Sequence, residues 1–182
     1  HIIHDDLIVA TLTKEEHEAV VQQVMEVIKV TGLTLNLPKC VFGCSEIRFW
    51  GMIVGRDGVS PDPAKVEALD HVLPPRNKEE LNSFLCMMQS NSDFIAEFSK
   101  KAAKLRELTK KAVRFRWEAE HQACFENLLE AFKKETLLRY FDANLQSFVF
   151  VDAHKTGLGT ILAQGSSVED AKPVAVASRC TN

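Results

Sequence analysis

The sequence predicts an α+β chain in which a small mixed segment is followed by a block of helices and then by a β-sheet. Apolar residues in 13–32 recur at the helical period, four positions apart on one face. Helix start signals recur through 61–142, and from Ser147 onward apolar residues gather in short strand-like runs. These changes of pattern divide the chain into three expected domains, which span residues 1–60, 61–142 and 143–182.

Composition and charge fit an ordinary globular protein. The 182 residues are 46% hydrophobic and 26% charged, so the chain can bury a core and disorder is not expected. Five cysteines without regular spacing argue against a disulfide framework and indicate a reducing compartment. No apolar run reaches about 18 residues and no signal peptide is evident, so we expect no membrane partner. The chain does not start with methionine, and we expect a longer protein around it.

The first third is predicted to hold a hairpin and a long helix. Two apolar runs within residues 1–10 flank the Asp5-Asp6 pair, a pattern typical of strand, tight turn and strand. Thr13 and Glu16 have the spacing of a capping box, and Gly32 supplies a helix stop. A helix of about 18 residues is therefore expected between them.

The middle of the chain is predicted to continue with a strand and then four helices. Residues 47–54 are strand-like, and a second short strand is expected near 40–42. Asp62-Pro63 is a helix start signal, as is Asn77 with Glu80 three residues later. The apolar faces of the later helices are assigned to Leu81, Phe84, Leu85 and Met88, to Phe94, Phe98, Ala102, Leu105 and Leu108, and to His121, Cys124, Phe125, Leu128 and Phe132. Three strands are then expected, at 148–151, 159–164 and 173–178.

Two features suggest chemistry. The adjacent carboxylates of Asp5 and Asp6 repel each other, and a divalent cation such as Mg²⁺ removes that conflict, although a bare Asp-Asp pair is more often a turn without a chemical role. Between Lys100 and Arg116 eight basic residues stand against one acidic residue, a local charge of about +7 in a chain whose net charge is -3. That stretch is either a phosphate-binding surface or a solvated helix face.

A zinc site is not expected. Cys40 and Cys44 are four positions apart, but no further Cys or His pair stands at a matching distance, and a structural zinc needs about four ligands. His121 lies on an apolar stripe and is interpreted as a core or edge histidine. Trp50 could stack on a nucleic-acid base, or it could pack within its own hairpin.

Several segments follow one another in an order and at spacings that indicate a family. They are Ile3 to Val9, Leu35 to Gly43, Phe49 to Val54, Pro61 to Ala68, Glu80 to Leu85, Phe94 to Lys100, Val151 to Gln164 and Pro173 to Arg179. Together they resemble the reverse transcriptase and ribonuclease H region of gypsy-type LTR retrotransposons, part of the pol polyprotein.

The resemblance implies an architecture and an activity. Residues 1–60 are expected to form the C-terminal part of a polymerase palm, 61–142 a helical thumb and link, and 143–182 the N-terminal part of a ribonuclease H-like α/β domain. The implied activity is RNA-directed DNA polymerisation with ribonuclease H, using Mg²⁺ or Mn²⁺ for two-metal phosphoryl transfer. The implied partners are an RNA template, an RNA–DNA hybrid and the polyprotein upstream and downstream. The expected location is intracellular, in the cytoplasm, a virus-like particle or the nucleus.

The resemblance also assigns roles to individual residues. Asp5, Asp6 and Asp152 match metal-binding catalytic carboxylates. The turn that steadies the primer terminus matches Phe49, Trp50, Gly51 and Met52. The thumb surface expected to contact phosphates is Lys100, Lys101, Lys104, Arg106, Lys110 and Lys111.

The sequence also departs from the family pattern. Ile3 stands where the family has tyrosine, residues 86–93 lack the family's aromatic and basic residues, and His154 and Val176 replace a serine and a tyrosine. The remaining catalytic carboxylates are expected outside this chain, so we predict that these 182 residues alone neither extend a primer nor cut a hybrid. Two alternatives remain: a domesticated or decayed module that binds nucleic acid or protein without catalysis, and a helical scaffold.

Overall fold

The computed structural model describes residues 2–3, 6–134, 137–154 and 157–180. The chain forms two compact units, His1–Ile47 and Arg48–Asn182. The helices are α1 (Lys14–Thr31), α2 (Pro63–Ala68), α3 (Lys78–Gln89), α4 (Phe98–Thr109) and α5 (Ala119–Lys133). The strands are β1 (Ile2–Ile3), β2 (Asp6–Leu7), β3 (Ile47–Phe49), β4 (Met52–Gly55), β5 (Gly58–Pro61), β6 (Gln146–His154), β7 (Gly157–Gly165) and β8 (Lys172–Cys180). The predicted α+β order is confirmed, whereas the division at 60 and 142 stays a prediction.

The first unit contains the predicted hairpin and long helix. Strand β1 pairs antiparallel with β2, and Ile2 lies opposite Leu7. The Thr13 hydroxyl accepts a hydrogen bond from the Glu16 N–H at 3.2 Å, and Gly32 closes α1 in the left-handed conformation at φ 74°. Both predicted helix ends are confirmed, because local capping satisfies the backbone groups that a helix leaves unpaired.

Strands β3, β4 and β5 form a three-stranded sheet, in which β4 and β5 are antiparallel. The single strand predicted over 47–54 is wrong. Trp50 and Gly51 have φ angles of 54° and 68°, so the chain reverses between β3 and β4. Two successive left-handed residues suit the tight turns that join twisted strands. The strand expected near 40–42 is also wrong, since the described chain has a short 3-10 helix at Leu37–Lys39 followed by irregular backbone. Pro38 favours that first helical turn and cannot donate to a strand ladder.

The main hydrophobic core lies between the helices of the second unit. The Asp62 carboxylate accepts from the Ala64 N–H at 3.0 Å, and the Asn77 side chain accepts from the Glu80 N–H at 2.8 Å. These caps start α2 and α3 where the sequence predicts them. The cluster of buried apolar residues consists of Leu69, Leu81, Phe84, Leu85, Met88, Ile95, Phe98, Ala102, Leu105, Leu108, Phe125, Leu128, Leu129 and Phe132.

Trp117 anchors the link between α4 and α5 on this core. Its ring lies edge-on to Phe125 at 6.0 Å between centroids and stacks near Phe115 at 6.3 Å. Its indole N–H donates to Gln122 Oε1 at 2.8 Å. Trp117 is therefore a hydrophobic anchor for this link, and its polar edge is satisfied as a partly buried indole requires.

Strands β6, β7 and β8 form an antiparallel sheet in that order. Asp152 of β6 lies opposite Gly159 of β7, and the β7–β8 ladder shifts register between Leu162 and Ala163. A short link ties this sheet to the β4–β5 hairpin, because Leu138 bridges to β5 and the Arg139 N–H donates to the Pro173 carbonyl at 2.8 Å. All three predicted strands are confirmed and are longer than their apolar centres indicate.

Candidate functional site

The first predicted carboxylate pair is only partly within the described chain. Asp6 begins strand β2 opposite Ile3, and its side chain is exposed to solvent. Asp5 and its neighbour His4 lie outside the described residues. An exposed carboxylate on a hairpin can hold a hard cation when further oxygen ligands converge on it. The metal-binding role of Asp5 and Asp6 stays a prediction.

The predicted primer-contact turn projects an aromatic ring into solvent. Trp50 and Gly51 form the turn between β3 and β4, and Trp50 remains 54% exposed. The predicted contact of this turn with a primer stays a prediction. A Cβ on Gly51 would lie 2.1 Å from the Lys65 side chain, in addition to the strain of its positive φ.

The hairpin behind that turn is fixed by the link at 137–142. The Tyr140 hydroxyl donates to the Gly55 carbonyl at 2.8 Å, and partial burial raises the pKa of this phenol. A Cβ on Gly58 would lie 2.1 Å from the Leu138 carbonyl oxygen, so this close approach requires glycine. The contacts join residues 80 and 85 positions apart, and local sequence patterns do not reveal them.

The basic stretch divides into an internally paired part and an open part. The Lys101 ammonium donates to the Ala96 carbonyl, and Lys104 forms an ion pair with Glu120. Arg106 donates to Cys180 Sγ at 3.0 Å and lies 5.3 Å from the centre of the Phe98 ring. Among the described residues, the exposed side chains of Lys110, Lys111 and Arg114 form no ion pair.

Lys100 and Asp152 are two predicted site residues that the fold brings together. The Lys100 ammonium lies 3.1 Å from Glu97 Oε1 and 3.3 Å from Asp152 Oδ2. A hydrogen bond with Glu97, followed by the hydrogen bond and charge of Lys100, lowers the pKa of Asp152. Hydrogen bonds to Glu97 and then to Asp152 raise the pKa of Lys100. Sequence reasoning missed Glu97, whose left-handed backbone at φ 56° is the only local anomaly of a described non-glycine residue besides Trp50.

A second group of possible metal ligands lies at the start of α5. Ligand atoms of Glu118, Glu120 and His121 lie within 4.8 Å of one another. The Nδ1 atom of His121 already accepts from the Glu118 N–H at 3.2 Å, and Glu120 is paired with Lys104. His121 is buried, as predicted, and the group acts as a helix cap.

Comparisons with known proteins agree with this geometry. Residues 117–182 match the model of the RNase H-like domain found in reverse transcriptase. Nearly the whole chain is also similar to retrotransposon polyproteins, which confirms the resemblance drawn from its motifs.

Two fission yeast relatives extend the similarity along nearly the whole chain. The Transposon Tf2-3 polyprotein of Schizosaccharomyces pombe is 27% identical over 170 residues, which cover 93% of this chain. The Tf2-7 polyprotein of the same organism is 26% identical over the same length. This chain spans 13% of each polyprotein.

Solved structures confirm the fold. A foamy viral protease-reverse transcriptase in complex with an RNA/DNA hybrid matches 95% of this chain and 24% of its own, with a TM-score of 0.79 and 22% identity. The same kind of enzyme in complex with dsDNA matches with a TM-score of 0.78. The fold of this chain is thus similar to that of part of these enzymes. No described helix combines the length and apolarity needed to cross a bilayer.

Proposed function

We propose that this chain forms part of an RNA-directed DNA polymerase with ribonuclease H that copies retrotransposon RNA. One observation carries the proposal: a basic helical block and a sheet with the exposed Asp152 lie in the same compact unit. A helical surface that holds a hybrid and a strand carboxylate that contributes to its cleavage are the parts such an enzyme requires. The fold similarity to reverse transcriptases supports this division of roles.

Asp5, Asp6 and Asp152 are proposed to hold Mg²⁺ or Mn²⁺. Asp152 fits such an ion, since its side chain is 55% exposed and offers hard carboxylate oxygens beside a second carboxylate. When bound, paired divalent cations activate the attacking oxygen and stabilise the leaving oxygen in phosphoryl transfer. The aspartates would position the cations and would form no covalent intermediate.

The open end of the basic stretch is proposed to contact the phosphates of an RNA–DNA hybrid. Lys110, Lys111 and Arg114 are exposed and unpaired among the described residues, whereas Lys100, Lys101, Lys104 and Arg106 are engaged within the protein. Phosphate contacts give affinity without sequence preference. The turn from Phe49 to Met52 is proposed to steady the primer end, with Trp50 stacking on a base.

Binding to a hybrid provides the test of this surface. Fluorescence anisotropy with a labelled RNA–DNA hybrid should show an affinity that falls steeply with salt. In the triple variant K110Q/K111Q/R114Q, the slope of log affinity against log salt should decrease by about 2–3, about one for each lost phosphate contact. The control variant K14Q/K29Q/K39Q removes the same charge from other exposed positions and should change the slope little. Equal slopes in both variants would contradict the proposal.

Catalysis by the isolated chain is not expected. Its carboxylate set is incomplete in the proposed mechanism, and a site that lacks ligands binds metal weakly. Primer extension and hybrid cleavage with Mg²⁺ or Mn²⁺ should therefore yield no product. Template-dependent extension by the 182 residues would overturn this expectation.

A non-catalytic binding module is the second candidate function. The pairing of Asp152 with Lys100 favours it, because a structural ion pair can retain an aspartate without chemistry. The parent polyprotein distinguishes the two: hybrid cleavage that is lost in D152N supports the enzyme, and unchanged cleavage supports the binding module. Either activity is proposed to act within the cell, in the cytoplasm, a virus-like particle or the nucleus.

A further inference from the structure

The first turn of α4 and strand β6 meet at one ion-paired group, here named the Lys100 triad, which consists of Glu97, Lys100 and Asp152. The Lys100 Nζ atom is 3.1 Å from Glu97 Oε1 and 3.3 Å from Asp152 Oδ2. One ammonium thus stands between two carboxylates, where its positive charge offsets their repulsion. Carboxylate oxygens around a cation are also the ligand chemistry that Mg²⁺ and Mn²⁺ prefer.

Packing fixes the helix start that carries this triad. The Ser99 N–H donates to the Ser178 hydroxyl at 3.1 Å, and the two hydroxyls are 3.2 Å apart. A Cβ on Gly157 would lie 3.4 Å from the Ser99 Cβ, and a Cβ on Gly159 would lie 3.4 Å from the Glu97 Cγ. The start of α4 therefore packs directly against β7 and β8. This packing positions the Lys100 ammonium next to β6.

The triad remains accessible to ions from solvent. The Lys100 side chain is 41% exposed and the Asp152 side chain is 55% exposed. Exposed ion pairs are weak, because water and salt screen their attraction. A divalent cation present in solution can therefore compete with the ammonium for these carboxylates.

We propose that the Lys100 ammonium occupies the cation position at Asp152, so that a divalent cation must displace it to bind there. The inference rests on the proposed metal-binding role of Asp152. An ammonium and a divalent cation held by the same oxygens would repel each other, and the two states exclude one another. Displacing Lys100 also breaks the ion pair between α4 and β6, while the packing of α4 on β7 and β8 is retained.

Mn²⁺ binding to the 182-residue chain tests the proposal without any need for activity. Free Mn²⁺ is measured by electron paramagnetic resonance during titration of the parent, K100Q and K100R. Removal of one positive charge beside the site should strengthen Mn²⁺ binding by about tenfold in K100Q. K100R keeps the charge and should bind Mn²⁺ as weakly as the parent.

K133Q is the matched control. Lys133 forms an ion pair with Asp70 elsewhere in the second unit, so this variant also loses one charge and frees one exposed aspartate. It should bind Mn²⁺ no more tightly than the parent. In K100Q/D152N the gain should disappear. Thermal unfolding of each variant verifies that it is folded.

Two results would overturn the proposal: K100Q binding Mn²⁺ no more tightly than K133Q, or a gain that survives D152N. Neither result would contradict the proposed hybrid-binding surface, because that surface is tested separately through Lys110, Lys111 and Arg114. Conversely, loss of salt-dependent hybrid binding would leave the Mn²⁺ titration unchanged. If K100Q does not fold, K100M removes the same charge, and broadening of the Gly159 amide resonance by Mn²⁺ is compared between K100M and the parent. Asp152 lies opposite Gly159 in the ladder, and stronger broadening in K100M is expected. Equal broadening in K100M and the parent contradicts the proposal.

Discussion

Helices α1 and α4 both carry apolar residues at the helical period, yet only α4 has buried residues. Helix α1 is capped at both ends and has an apolar stripe, but none of its residues is buried, and Val27 and Val30 are 61% and 87% exposed. Helix α4 lacks a side-chain cap, yet it buries Phe98, Ala102, Leu105 and Leu108. The difference teaches that amphipathic spacing records a preference for burial, while only a packed partner supplies it.

The largest expected effect contrasts core truncations in the two helices. Leu105→Ala should lower the free energy of unfolding by about 2–5 kcal/mol, since the residue is fully buried and the change leaves a cavity. Ile28→Ala in α1 removes a side chain that is only half-buried and should cost about 1 kcal/mol or less. Urea unfolding followed by circular dichroism measures both. Equal losses would show that α1 is packed as firmly as α4.

An intermediate effect is expected from the caps. Asn77→Ala removes an acceptor from the start of α3, whose face lies in the core, and should cost about 1 kcal/mol of global stability. Thr13→Ala removes the equivalent acceptor from α1. Amide exchange should increase only in the first turn of α1, because no buried face of that helix transmits the loss. Exchange that spreads through the second unit in the Thr13 variant would argue against this contrast.

The smallest expected effect is a response to acid in the turn between β7 and β8. The Ser166 hydroxyl, followed by the Ser167 and Ser166 N–H groups and the Ser167 hydroxyl, donates hydrogen bonds to Asp170 and lowers the pKa of that carboxyl from 3.8. A lowered pKa in the folded state means that the stabilisation is complete above the unfolded value and is lost as the pH falls through the folded value. The effect therefore appears only below about pH 4.

Amide chemical shifts of Ser166 and Ser167, followed from pH 6 downward, should stay constant at first and change only at the acid end, because the pKa of Asp170 is held well below its usual value. Asp170→Asn should abolish the pH dependence of the turn while leaving the shifts of α1 unchanged. Persistence of the same pH dependence in the asparagine variant would assign it to another group.

Most elements could be predicted from the sequence because their causes are local. Thr13, Asp62 and Asn77 each accept from a backbone N–H two or three residues ahead, so their roles are visible within a few letters. The apolar pattern predicted one strand through Trp50 because tryptophan is unusual in a left-handed conformation, and only the family resemblance indicated a turn there. The short strand near 40–42 was wrong because an apolar run does not form a strand without a partner.

The candidate site was predictable in part. Asp152 was identified from a motif, and the basic character of α4 from a charge count. The sequence did not predict which of those basic side chains remain unpaired. Lys104 pairs with Glu120, and Arg106 with Cys180, only after the chain has folded. The predicted metal roles of Asp5, Asp6 and Asp152 stay predictions.

The sequence by itself determined the order of most elements and the caps of α1, α2 and α3, because short-range hydrogen bonding and hydrophobic period depend on neighbouring residues. Only the tertiary structure decided which apolar faces are buried and which charges are paired. Lys100 and Asp152 are 52 positions apart, and Tyr140 and Gly55 are 85 apart. Contacts at such separations depend on how helices and sheet pack, and they give Asp152 its cationic neighbour.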